Sequence, residues 1–182
     1  DPVIVAAQIA QSIQTISSRN LSALDSVVIS ITQIHTGTIN NIVPGEAFIN
    51  GTVRTLKKDA QAIVVKRLKE ICDGTAQAFG AKADLEYEYG YPPTINHPKQ
   101  TAFALKVASE ISGNANIDGE APPIMAAEDF AYMLEERPGA YLNIGQGDSA
   151  ALHNPEYDFN DELSPIGASF FVKLVENAQP LD

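Results

Sequence analysis

The polar loop between residues 145 and 163 contains the side chains with the greatest capacity for chemistry. His153 lies in this loop, and a neutral imidazole is a common ligand of divalent metals. Asp158 and Asp161 follow it, and either carboxylate could orient the ring. Because no second His or Cys stands nearby, two interpretations stay open: a metal ligand, or a surface histidine that binds a backbone carbonyl.

Asn41 and Arg54 carry side chains suited to binding an oxyanion or a carboxylate. Arg54 stands in an otherwise apolar and neutral strand pattern, and a guanidinium can bind a carboxylate through two parallel hydrogen bonds. Asn41 lies in the turn-rich stretch before that strand. A solvated Arg at a strand edge and an ordinary turn Asn explain the same two residues equally well.

The remaining polar candidates have ordinary structural explanations. Glu128 and Asp129 stand at a predicted helix start, where the helix dipole stabilises acidic side chains. The alternative is that they line a pocket beside His153. His35 is predicted on the core face of its strand and His97 at a turn or cap. The sequence contains no nucleophilic-serine elbow, phosphate-binding glycine loop or CxxC motif.

Composition excludes several classes of partner. The 182 residues include 12 basic and 23 acidic side chains, and the net charge of −11 disfavours binding to nucleic acid. No apolar run approaches the roughly 20 residues of a membrane span, so no membrane partner is expected. A single cysteine, Cys72, excludes an internal disulfide and indicates a reducing, cytoplasmic location; its helical apolar stripe predicts that it is buried.

The first half of the sequence predicts the order helix, strand, strand, helix, strand. The expected ranges are 1–18, 26–36, 47–55, 58–79 and 83–91. This order matches the split βαβ, or ferredoxin-like, unit without its first strand. In that topology the first strand is central, so we expect its neighbours to be left unpaired and the sequence to be part of a longer one.

The second half predicts helices that alternate with short strands. Helices are expected at 100–112, 127–136 and 165–177, and a buried strand at 140–144. Such alternation is typical of an α/β sheet, but two short strands are too few to complete one. The predicted fold class is therefore α/β, with both halves incomplete.

Four motifs in order resemble the amidohydrolase branch of the M20 metallopeptidase family, which includes hippurate and auxin-conjugate hydrolases. Residues 41–44 and 51–55 read Asn-Ile-Val-Pro and Gly-Thr-Val-Arg-Thr, similar to the branch's NVIP and GTVR segment. Residues 127–130, Ala-Glu-Asp-Phe, resemble its SEDF helix start. Residues 138–145 and 152–155 resemble its PG-x-aromatic-x-x-IG and LHxP run. Residues 42–43 read Ile-Val where the branch usually has Val-Ile, a volume-conserving exchange.

The resemblance implies a division of labour between two domains. Residues 1–95 would be a lid and dimerisation domain, truncated at its N-terminus, and residues 96–182 the C-terminal segment of an α/β metallohydrolase catalytic domain. His153 matches the C-terminal ligand of a site for two divalent metals. Asn41 and Arg54 match lid residues that hold the substrate's carbonyl or carboxylate across a homodimer.

The implied reaction is hydrolysis of the amide bond of N-acyl or N-aroyl amino acids. Zinc, manganese, nickel and cobalt are equally compatible with a single histidine ligand. A dipeptidase or carboxypeptidase of the same family is an alternative, and so is a non-catalytic module that uses the lid fold for binding or dimerisation. The resemblance places the other metal ligands, the general-base glutamate and the lid histidine before Asp1.

We therefore expect the 182-residue chain alone to be inactive. It would supply at most one metal ligand, whereas hydrolysis by two metals also needs their other ligands and a general base. The measurement is release of glycine from hippurate by the purified chain with added Mn²⁺. Turnover above the metal-only blank would contradict the expectation.

Overall fold

The computed structural model describes residues 1–179, which form mixed α/β structure in two compact units. The first unit is Asp1–Pro93 and the second begins at Thr94. A π-helical turn, Ile16–Asn20, directly follows the helix that ends at Thr15, and a 3-10 turn, Asn114–Asn116, follows the helix that ends at Ser112. The main elements are α1 Pro2–Thr15, β1 Val27–Thr36, β2 Ala47–Thr55, α2 Lys58–Ala78, α3 Pro98–Ser112, α4 Phe130–Glu136 and α5 Leu163–Ala178.

The ends of α1 and α2 follow from local sequence. The Asp1 carboxylate caps α1 by accepting a hydrogen bond from the Val3 N–H at 2.9 Å, and proline occupies the first helical position. At the end of α2, Gly80 adopts a φ of +69°, and the N–H of Ala81 donates to the Ala76 carbonyl at 2.8 Å. This is the Schellman arrangement, which favours glycine because a side chain disfavours positive φ.

The core of the first unit lies between these two helices and one face of the sheet. Ile16 and Val64 are fully buried at its centre, and β-strand residues such as Ile29 and Val53 pack against it. The predicted burial of Cys72 is confirmed, and that burial raises the pKa of its thiol. The buried members of the cluster are Val5, Ile9, Ile13, Ile16, Val64, Leu68, Ile71, Cys72 and Ala76.

A β-bulge changes which side chains of β1 face this core. β1 and β2 pair antiparallel, but the register shifts between Ile31 and Gln33, so β1 has one residue more than its partner there. Side-chain alternation beyond the bulge is therefore reversed. The prediction that His35 shares the core face of β1 is wrong: His35 is exposed, lies opposite Phe48, and stacks on that ring with centroids 6.4 Å apart.

Residues 83–91 do not form the predicted third strand. Ala83, Leu85 and Tyr87 do alternate with exposed neighbours and pack against the core cluster. However, the sheet in the described part of the chain has two strands, and no ladder reaches this segment. Alternation predicts which side chains are buried, but a strand also needs a partner backbone. An unpaired segment fits an incomplete split βαβ unit, although that topology itself stays a prediction.

In the second unit, side chains replace the strand predicted at residues 140–144. The Asn96 amide donates to the Tyr141 carbonyl at 2.9 Å and accepts from the Tyr141 N–H at 2.7 Å. The His97 N–H donates to the Gly139 carbonyl at 3.0 Å, and the Gly139 N–H donates to His97 Nδ1 at 3.2 Å. These four bonds satisfy the backbone N–H and carbonyl groups of Gly139 and Tyr141, and residues 140–144 form no strand, so the strand prediction is wrong.

Helix α4 is shorter than predicted and begins at Phe130. Glu128 and Asp129 therefore precede its first turn. Helices α3 and α5 pack on each other, and Asn177 donates to the Glu110 carboxylate at 3.0 Å. Across the described residues, no helix is long and apolar enough to span a membrane.

Gly51, which lies opposite Ile31 beside the bulge, should tolerate no side chain. A Cβ there would clash with the Ser30 carbonyl oxygen and approach the Ile31 Cα within 3.2 Å. We expect Gly51→Ala to lower the free energy of unfolding by about 1–3 kcal/mol, as overpacking does. Gly45→Ala is the matched control because a Cβ at Gly45 would meet nothing within 4 Å. The free energy of unfolding of each variant is measured by urea denaturation followed by circular dichroism. Equal stability of the two variants would contradict the packing described.

Candidate functional site

His153 occupies the tip of a hydrogen-bonded turn in the long loop before α5. The turn is closed by the Asn154 N–H, which donates to the Ala151 carbonyl at 3.1 Å. His153 is exposed and has a φ of +67°. Among the residues described, it is the one non-glycine residue with positive φ.

This backbone conformation costs free energy because a Cβ crowds the neighbouring carbonyl oxygen. For an L-residue the cost of the left-handed region is about 1–2 kcal/mol. Strained backbone of this kind is concentrated at active sites and ligand-binding turns. The exposed imidazole and its strained backbone are the structural observations that bear on the predicted role of His153, which stays a prediction.

The two ends of the loop around His153 are joined by Gln146. Its Nε2 donates to the Asp158 carbonyl at 3.2 Å and to Ser149 Oγ at 2.7 Å, and its Oε1 accepts from the Asn160 N–H at 3.4 Å.

The carboxylates proposed to orient the imidazole do not do so here. Within residues 1–179, no hydrogen bond joins His153 to Asp158 or to Asp161.

A second polar group surrounds Tyr141, just before the same loop. Its ring lies 5.7 Å from the Phe130 ring, between centroids. Burial raises the pKa of the Tyr141 hydroxyl, and the charges of Glu128 and Asp129 raise it further. The role predicted for Glu128 and Asp129, lining a pocket beside His153, stays a prediction.

The described residues do not form a complete metal site. They contain no group of three or more His, Cys, Asp or Glu side chains placed to hold an ion. His97 uses its Nδ1 as an acceptor for Gly139, and His35 stacks on Phe48. His153, like His35, is exposed, and in the described residues its ring is not stacked on another one; it therefore stays the candidate ligand, and other ligands would have to come from elsewhere.

Asn41 and Arg54 both belong to the first compact unit, whereas His153 belongs to the second. Ile49 and Val53 pack against the core, so the alternate residues of β2, Arg54 among them, lie on the outer face of the sheet. Arg54 and Asn41 are both exposed; Arg54 pairs with Val28 in the ladder, and Asn41 lies in the connection between the strands. Both side chains are therefore outside the core and accessible.

Comparison with known proteins decides the family. A model of the peptidase family M20/M25/M40 matches residues 6–177. The chain belongs to this family. The resemblance carried by the four sequence motifs is thereby confirmed.

The curated relatives of this M20 chain are hydrolases of acylated amino acids by name. It is 33% identical to N-acetyldiaminopimelate deacetylase of Streptococcus sanguinis, with 97% of this chain and 46% of the relative aligned. It is also 33% identical to hippurate hydrolase of Campylobacter jejuni, with 96% and 45% aligned. The chain spans about half the length of the curated relatives it matches.

A solved structure supports the same assignment. The fold resembles that of Bacillus subtilis YXEP, a dinuclear metal binding peptidase from the M20 family, with a TM-score of 0.76 and 27% identity. The match covers 98% of this M20 chain and 46% of YXEP. The small two-stranded sheet and its helices are therefore part of an M20-like fold.

Sequence reasoning identified His153 but missed the residues that surround it. Gln146 stands between two glycines after an apolar run, a position where polar residues are common and carry no signature of their own. Asn96 and His97 read as a turn before a proline. Their pairing with residues more than 40 positions away depends on the tertiary fold, which one sequence does not show.

Two variants of His153 separate backbone strain from imidazole chemistry. Both His153→Gly and His153→Ala remove the ring, but only glycine adopts a φ of +67° without strain. We expect His153→Gly to be about 1 kcal/mol more stable to unfolding than His153→Ala. The measurement is chemical denaturation of both variants. A more stable alanine variant would show that His153 does not have positive φ.

Proposed function

We propose that the protein carrying this chain is an M20 amidohydrolase that cleaves the amide bond of N-acyl amino acids, and that His153 is one of its metal ligands. The observation that carries the proposal is the exposed imidazole of His153 on a strained backbone, within the Leu-His-Asn-Pro turn of a chain that belongs to the M20 family. The isolated chain, which contains no cluster of metal-binding side chains in its described residues, would have no activity of its own.

The proposed contribution of His153 is coordination by a neutral imidazole nitrogen. Divalent metals in such a site polarise an amide carbonyl and lower the pKa of bound water. YXEP, which matches 98% of this chain, is a dinuclear metal binding peptidase, and this supports two divalent metals in the whole protein. The kind of metal is left open by a single histidine ligand.

Arg54 and Asn41 are the proposed substrate-binding residues. Arg54 lies on the outer face of β2, where its planar guanidinium can hold the α-carboxylate that every N-acyl amino acid carries. The exposed amide of Asn41 can donate a hydrogen bond to the substrate's carbonyl or carboxylate. Neither residue is needed by the apolar core, so substitution should affect binding more than folding.

The acyl group is the less defined part of the substrate. The relatives are named for substrates as different as N-acetyldiaminopimelate and hippurate, an N-acetyl and an N-benzoyl compound. What these two share is an amide next to a free amino-acid carboxylate. We therefore propose this shared group, rather than an N-aroyl substrate in particular, as the recognised feature.

The first unit is proposed to act as the lid and dimerisation domain of the whole enzyme, as in the split βαβ interpretation of its sequence. In the described residues its sheet has two strands, so each is an edge strand, and edge strands are suited to pairing with another backbone. A dipeptidase of the same family would bind the C-terminal carboxylate of its substrate through the same arginine. The substrates tested must therefore include dipeptides.

Variants of Arg54 in the full-length protein test the substrate contact. We expect Arg54→Ala to lower kcat/KM for an N-acetyl amino acid about 10- to 100-fold, because a hydrogen bond to a charged group is worth about 1.5–3 kcal/mol. The kcat/KM for amide hydrolysis of the methyl ester of the same N-acetyl amino acid, which lacks the free carboxylate, should change little. Arg19→Ala is the matched control, since Arg19 is an exposed arginine bonded to the Ser18 carbonyl.

Three results would count against the proposal. An equal loss of kcat/KM for the acid and for the ester would show that Arg54 does not bind the substrate carboxylate. Absence of amidase activity in the full-length protein with any of Zn²⁺, Mn²⁺, Ni²⁺ or Co²⁺ would reject the proposed reaction. Faster cleavage of dipeptides than of N-acyl amino acids would favour the dipeptidase alternative.

A further inference from the structure

We propose that Gln146 is a positioning residue for His153: its side chain closes the loop and thereby holds the histidine turn in its left-handed conformation. The role of the held imidazole as a ligand rests on the proposed function, but the loop closure itself does not. We call this contact, made by Gln146 with residues 149, 158 and 160, the Gln146 clasp.

The clasp joins positions that are distant in sequence. The bonds from Gln146 to the Asp158 carbonyl and from the Asn160 N–H to Gln146 span 12 and 14 residues, and His153 lies between their ends. The bond to Ser149 spans three residues and is local. Two of the three bonds therefore restrict the whole segment that presents the histidine.

Packing holds this segment only weakly, because residues 151–156 are all exposed and Tyr157 is half-buried. Leu152, directly before His153, is 70% exposed, and Phe159 is 50% exposed. The turn itself is closed by the single backbone bond from Asn154 to Ala151. Since a strained φ persists only when surrounding structure fixes it, and burial is slight here, the hydrogen bonds of the clasp must supply much of the restraint.

The chemistry of the clasp requires a glutamine. Its amide nitrogen donates to the Asp158 carbonyl while its amide oxygen accepts from the Asn160 N–H. A glutamate keeps the acceptor but turns a carboxylate oxygen toward the Asp158 carbonyl in place of the donor, and an alanine has neither donor nor acceptor. Ser149→Ala removes only the local bond. Both changes of Gln146 remove the bond to the Asp158 carbonyl, so Ser149→Ala is the mildest of the three.

The loop conformation is measured directly by NMR on the 182-residue chain. In Gln146→Ala we expect the strong intraresidue HN–Hα cross-relaxation of a positive φ at His153 to fall toward that of a flexible loop. Exchange of the hydrogen-bonded loop amides of Asn154, Tyr157 and Asn160 should accelerate about tenfold or more, while exchange in the helices stays unchanged. Gln146→Glu should also accelerate this exchange, because it loses the bond to the Asp158 carbonyl, and Ser149→Ala should stay within twofold of the natural chain.

Two NMR results would overturn the proposal. If His153 kept its φ and the loop its exchange rates in Gln146→Ala, the clasp would not position the histidine. If exchange accelerated throughout both units, Gln146 would be a general structural residue. Should the alanine variant fail to fold, Gln146→Glu decides between the same outcomes, because it keeps the Asn160 bond.

A second readout connects the clasp to the proposed metal role. In the full-length protein, Gln146→Ala should weaken the affinity for Zn²⁺ about 10- to 100-fold, as loss of a supporting contact does, and Ser149→Ala should not. Equal affinity in the natural protein and Gln146→Ala would overturn the connection. If the natural full-length protein binds no metal, the proposed function fails, while the NMR result still decides whether the clasp exists.

Discussion

The packing of α1 and α2 against one face of the β1–β2 sheet is the interaction on which the first unit depends. It buries the apolar side of each element in one cluster, and hydrophobic burial is the main favourable term in folding. Because this cluster uses one face of the sheet, the side chains of the other face, Val28 and Phe48 among them, are exposed. Arg54 is displayed there as a direct consequence.

The β-bulge shows how a single irregularity redistributes side chains between these faces. Period-two alternation correctly predicted the extent of β1, but it assumed that alternation is unbroken along the strand. The extra residue between Ile31 and Gln33 moves His35 to the outer face. No local signal in the sequence marks the bulge, since it depends on how β2 pairs with β1 and on the lack of a side chain at Gly51.

Elsewhere the sequence predicted local structure well and pairing poorly. Helix α2 was expected to stop at Gly80 and does so, because the stop depends on the conformation of one residue. Residues 83–91 and 140–144 were expected to be strands and are not, because a strand depends on a partner that the pattern does not specify. The candidate site divides in the same way: His153 was found from its motif, whereas Gln146 and Asn96 act through partners that only the folded chain reveals.

The pairing of Asn96 with Tyr141 bears on the chemical ageing of the protein. Asn96 both donates to and accepts from the Tyr141 main chain, which requires the amide group. Spontaneous deamidation to aspartate would replace the donor with a charged oxygen facing the Tyr141 carbonyl, so an attraction would become a repulsion. A stored sample would then lose the order of residues 139–141 by a covalent change of one mass unit, without any cleavage or oxidation of the chain.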